Sequence, residues 1–116
     1  MPRILLAIVL TALLTGCQES KTKVLIGGTL RSSPAAGPIE DSIIVISGDT
    51  IRAAGFRKDI PVPQDSERLD MQGKWILPRG PEPVVAGQPA NLKIYNQAPG
   101  PDTKPVLTMT SGNWEK

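Results

Sequence analysis

The chain beyond residue 23 predicts an all-β fold, a small β-sandwich or barrel-like domain, on three observations. β-branched and aliphatic residues recur in short runs with period-two alternation. Glycine, proline and Asx punctuation separates the runs, and no window of ten or more residues carries the i, i+3, i+4, i+7 stripe of an amphipathic helix.

The first run, Val24-Leu25-Ile26, leads through Gly27-Gly28 to Leu30, and Ser32 to Pro38 is a loop by composition. Ser42–Ser47 and Thr50–Phe56 flank Gly48-Asp49, a two-residue connection with glycine first that suits a type II′ hairpin. In that register Ile46 faces Ile51 and Ile44 faces Ala53, while Val45 sits beside Arg52. Ile43, Val45 and Phe56 leave the second face apolar too, so cover is expected over part of it. These three residues and Trp114 are the candidate partner face.

Pro61 and Pro63 lack the ladder donor and keep Arg57–Ser66 out of a central strand. Glu67–Asp70 reads as a short strand, Gln72-Gly73 as a turn, and Lys74–Leu77 as a strand with Trp75 expected in the core. Pro78, Pro81, Pro83 and Pro89 exclude regular pairing across most of 78–90, although Val84-Val85-Ala86 suits a brief extended contact. Asn91–Asn96 is strand-like, with Leu92 and Ile94 on one side and Lys93 and Tyr95 on the other. Gln97–Pro105 is a loop, and Val106–Thr110, turning at Ser111-Gly112-Asn113 into Trp114, closes the chain as a hairpin.

The N-terminus follows a different plan. Arg3 precedes an apolar run from Ile4 to Leu14, 11 residues long, against roughly 20 for a membrane-spanning helix. Residues 1–16 are therefore expected to be a helical secretory signal peptide rather than part of the fold. Leu14-Thr15-Gly16-Cys17 resembles the lipobox of bacterial lipoproteins. Small side chains at Thr15 and Gly16 let a protease approach the bond before Cys17, and the Cys17 thiol is the group that accepts a diacylglycerol. That resemblance implies a lipoprotein carrying thioether lipid and palmitate at Cys17, a tether rather than a catalyst. Two or three acyl chains give stable anchoring where one binds only marginally. Gln18 lacks the acidic character that resembles an inner-membrane retention signal in enterobacterial lipoproteins, which in a diderm bacterium favours the outer membrane, facing the periplasm. Residues 17–23 then form a lipidated cysteine with a polar linker, and residues 24–116 the β-domain.

Composition narrows the function. The 100 residues from Cys17 onward hold 12 basic and 11 acidic side chains, so nothing steers the domain to nucleic acid. Four aromatics (Phe56, Trp75, Tyr95 and Trp114) make a core built from Ile, Val and Leu and leave no broad stacking platform for bases. Cys17 is the only cysteine, so no intrachain disulfide forms. The chain has no histidine, and a metal site would have to be all oxygen. Glu40 and Asp41 are adjacent and point apart in extended chain, while Asp65 and Glu67 lie in a polar, proline-flanked stretch; both pairs read as solvated. Serine and threonine are plentiful without a histidine base, a Gly-x-Ser-x-Gly elbow or a Ser-x-x-Lys pair. The expectation is a non-catalytic domain without metal or other cofactor.

The order of pieces adds a resemblance. VLIGGTL, PIEDSIIVISGDTIRAAG, a proline-containing loop and LDMQGKWILP resemble the N-terminal strands of the metal-dependent amidohydrolase superfamily. AGQPANLKIYN and VLTMTSGNWE resemble the strands with which such chains return after their catalytic barrel. The resemblance implies a composite β-domain of amidohydrolase type, built from the two arms. Where the family continues after Leu-Pro into the strand bearing its first metal ligands, this chain has Arg79-Gly80-Pro81-Glu82-Pro83, and Asn91 stands where the return arm usually has aspartate. A barrel needs on the order of 250 residues, so the barrel is absent and no catalytic residue carries over. Three roles fit: an interaction or structural module at the membrane, an accessory subunit completing an amidohydrolase in trans, or an inactive remnant of a barrel-deleted hydrolase.

Overall fold

A computed structural model describes residues 22–115. Nine strands follow in chain order: β1 (Thr22–Ile26), β2 (Thr29–Leu30), β3 (Ser42–Ser47), β4 (Thr50–Phe56), β5 (Ser66–Asp70), β6 (Trp75–Pro78), β7 (Leu92–Tyr95), β8 (Leu107–Thr110) and β9 (Asn113–Trp114). A single 3₁₀ turn, Arg57–Asp59, is the helical element among the described residues. The strands form two sheets, one ordered β4-β3-β1-β5 and the other β2-β6-β7-β8-β9. The all-β expectation holds.

The chain changes sheets between β1 and β2, at Gly27-Gly28. Each of those strands makes a parallel partner further on, β1 with β5 and β2 with β6, while the remaining pairs are antiparallel. The change of sheet is held by Ser42, the one buried polar residue among those described, whose N–H and Oγ–H both donate to the Gly28 carbonyl at 2.9 and 2.7 Å. Because Gly28 keeps the backbone bond when the hydroxyl is removed, Ser42→Ala should cost only about 0.5–1.5 kcal/mol in urea unfolding. A much larger loss would mean that the hydroxyl positions the sheet change itself.

Alternation assigns the faces. Leu25, Ile44, Ile46 and Ile51 of the first sheet meet Leu30, Ile76, Leu92, Ile94 and Met109 of the second in one core. Each such side chain contributes roughly 1.5–3 kcal/mol when fully buried. Val84 and Ala90, from the proline-rich crossover, lie in the same core.

Several expectations need correction. Ile46 does face Ile51, but Ile44 faces Ala54, because a β-bulge intervenes between Val45 and Ile46. The extra residue is Arg52, so Ala53 rather than Arg52 is registered opposite Val45 and the two lie together on the outer side. The bulge keeps an arginine out of the core while placing Ala54 against it. Trp75, expected in the core, lies on the opposite side of β6 from buried Ile76, half-buried and registered across from Tyr95. Trp114 packs against the core instead. The last turn is Ser111-Gly112 alone, with φ +51° and +81°, the two positive values that a type I′ turn requires. At Gly48-Asp49 only the glycine is positive, as type II′ requires.

Candidate functional site

The four residues singled out as a partner face do not come together. Ile43 and Val45 are buried with Val24 in a second cluster on the outer side of the first sheet, beneath Ile60 and Val62 of the loop that follows the 3₁₀ turn. They are withdrawn as partner residues, since the chain's own loop covers them. Phe56 is 46% exposed at the end of β4, with the Lys58 ammonium 5.6 Å from its ring centroid. Trp114 is half-buried at the far end of the chain. Leu14, Thr15, Gly16 and Cys17 lie outside the described residues.

The carboxylates are placed as surface groups. Asp41 pairs with Arg57 at 3.2 Å, with both side chains about half exposed, a geometry worth little in water. Asp65 and Glu67 are exposed. Among the described residues no group of three Asp, Glu, Cys or His side chains converges.

Two of the surface clefts lie at the proline-containing crossover, where the sequence excludes regular pairing. They open on either side of Gly80-Pro81, with volumes of about 440 and 340 Å³. The smaller is lined by Arg31, Ser33, Pro34, Leu77 and Pro78. The larger is lined by Arg79, Glu82, Asn91, Lys93, Thr110 and Ser111.

Arg79 is fixed from several directions. Its backbone N–H donates to the Asn91 carbonyl at 2.9 Å, extending the β6–β7 ladder past Pro78. Its guanidinium donates to Thr110 Oγ1 at 2.7 Å and pairs with Glu115 at 3.2 Å, and the Thr110 hydroxyl also donates to Glu115. Asn91 Oδ1 accepts the Ser111 N–H at 2.8 Å, joining the cleft wall to the last turn. Lys93 comes from the middle of β7, where its cross-strand neighbours are Leu77 and Thr108. The cleft thus gathers two cations, a carboxylate at Glu82 and two hydroxyls. No pattern in the sequence announced it, because its residues come from the crossover, β7 and the β8–β9 turn, and only the fold assembles them.

Comparison with known proteins bears on the two ends of the chain differently. Residues 1–18 match the pattern of the prokaryotic membrane lipoprotein lipid attachment site. The chain has a lipoprotein N-terminus. No curated protein matches the sequence. Solved structures similar to part of the chain include molinate hydrolase, 33% identical over 53% of this chain and 13% of that one, with a TM-score of 0.47. A putative prolidase from Bifidobacterium longum is 20% identical over 51% of this chain and 15% of its own, TM-score 0.46. Dihydropyrimidinase from Brevibacillus agri NCHU1002 is 25% identical over 51% and 12%, TM-score 0.41. The chain therefore spans no more than 15% of the length of any of these three. Among the described residues no helix is long and apolar enough to cross a membrane.

Proposed function

We propose that this lipoprotein is anchored through lipidated Cys17 and holds its β-sandwich at the membrane surface, on the periplasmic side of the outer membrane, as a non-catalytic structural or interaction module. The observation that carries the reading is the lipid attachment pattern over residues 1–18, whose cysteine falls at position 17.

The crossover supports the second half of the reading. Residues 79–91 are the span in which the resembled amidohydrolases would house a barrel, and here they are built into the sandwich. The Val84 N–H donates to Ser32, the Gly87 N–H to Ile51, and the Ala90 N–H to Asp49, at 2.8–2.9 Å. Both arms close on this segment. For the rival role, a subunit docking on a separate barrel protein through Ile43, Val45 and Phe56, the loop at Ile60 and Val62 covers Ile43 and Val45 and leaves only Phe56 exposed.

The test is fractionation of cells producing the full chain or Cys17→Ser. Wild-type protein should sediment with membranes and incorporate labelled palmitate, and the variant should do neither. Membrane retention of Cys17→Ser would overturn the anchor.

A further inference from the structure

The larger cleft has a chemistry and a position that the anchoring role does not use. Lys93 and Glu82 are lining residues of opposite charge, and neither forms an ion pair with another described residue. Lys93 is half-buried, with only Leu77 and Thr108 registered beside it on the sheet. Glu82 folds back over the crossover, its Oε2 lying 3.3 Å from where a Cβ on Gly80 would be. Arg79 is held beside them by Thr110 and Glu115, with its guanidinium half exposed. An unpaired cation, an unpaired carboxylate and the Thr110 and Ser111 hydroxyls in one open cleft complement a ligand that carries an anion and an ammonium a short distance apart.

Position selects the ligand. Four residues separate Cys17 from Thr22, so five Cα-to-Cα steps reach about 17 Å when fully extended. Thr22 is registered with Ser47, the residue before the Gly48-Asp49 turn. That turn packs against Gly112, whose N–H bonds the Ala90 carbonyl, and Ser111 lines the cleft. The attachment point and the cleft therefore share one end of the sandwich, and a short tether keeps that end near the lipid headgroups.

We propose that the cleft between Arg79 and Lys93 binds the zwitterionic headgroup of phosphatidylethanolamine in the anchoring membrane. The phosphate sits on Lys93 and Arg79 and the ammonium on Glu82. The site rests on the anchoring proposed above for its ligand's source, but not for its chemistry, which can be read in solution.

The full chain in a non-ionic detergent is titrated with O-phosphoethanolamine and, separately, with inorganic phosphate, following backbone amide signals by NMR. O-phosphoethanolamine should shift Lys93, Thr110 and Ser111 and bind at least about tenfold better than inorganic phosphate, because only its ammonium adds a charge-assisted contact, with Glu82. Lys93→Met should weaken binding about tenfold, and Glu82→Gln should erase the preference over phosphate. Unmoved cleft signals, equal binding of the two probes, or an unchanged Lys93→Met would overturn the proposal. The lipidated chain is then placed in vesicles of phosphatidylglycerol with or without phosphatidylethanolamine. Shifts of the same amides only with phosphatidylethanolamine support the headgroup as the source; binding of the soluble probe without that response overturns it. Failure of the anchor is read apart from all this, in the sedimentation of Cys17→Ser.

Discussion

Gly112→Ala should lower the stability of the domain by about 3–5 kcal/mol, from backbone strain together with overpacking. Gly112 has φ +81°, and a Cβ built on it would fall inside the Gly48 carbonyl oxygen, with the Asp49 Cα also too near. Both obstacles are backbone, so no rotamer change relieves them, and the two hairpin turns must separate. Such a loss is a large share of the roughly 5–15 kcal/mol that holds a domain folded. It should lower the melting temperature by about 4–8 °C for each kcal/mol. Gly73 is the matched control, because its φ is +83° and nothing lies within 4 Å of a Cβ there. Gly73→Ala carries only the left-handed penalty, about 1–2 kcal/mol. Urea unfolding of both variants separates strain from contact. Equal losses at the two positions would mean that the turns do not press on each other.

Val84→Asp should cost about 3–5 kcal/mol, the penalty for an uncompensated charge in the interior. Val84 is 1% exposed in the main core, although it directly follows Pro83 in a stretch that also holds Pro78, Pro81 and Pro89. Its neighbour Val85 is 40% exposed, so Val85→Asp should change stability by no more than about 0.5 kcal/mol. The contrast, measured by thermal and urea unfolding, tests whether the crossover belongs to the fold or hangs outside it. A small effect at Val84 would place it outside and would reopen the gap between the arms to another protein.

Val84 also marks how much could be read in advance. The strands were legible because period-two alternation and turn glycines report local geometry, and the Gly48-Asp49 hairpin was placed to the residue. The bulge was not, since Arg52 is compatible with either register until the two faces compete for Ala53 and Ala54. Ile60 and Val62 alternate with Pro61 and Pro63, so the sequence shows why they pair with nothing but not that they lie over Ile43 and Val45. Trp75 was assigned to the core from its position in a strand, when the parity of Ile76 alone decided its side. The lining of the cleft was invisible for a different reason: Arg79, Lys93 and Ser111 come together only through strand order.

The central place of β1 has a mechanical meaning. In the anchored form proposed above, the tether would join the domain at the start of a strand flanked by β3 on one side and β5 on the other. A pull transmitted from the membrane therefore runs along β1 and loads both ladders in shear, so that their bonds must yield together instead of peeling one at a time. An edge strand in the same position would unzip. The first strand is thus placed to bear load, and the rate of forced unfolding, more than equilibrium stability, would limit how long the domain survives a tug on its anchor.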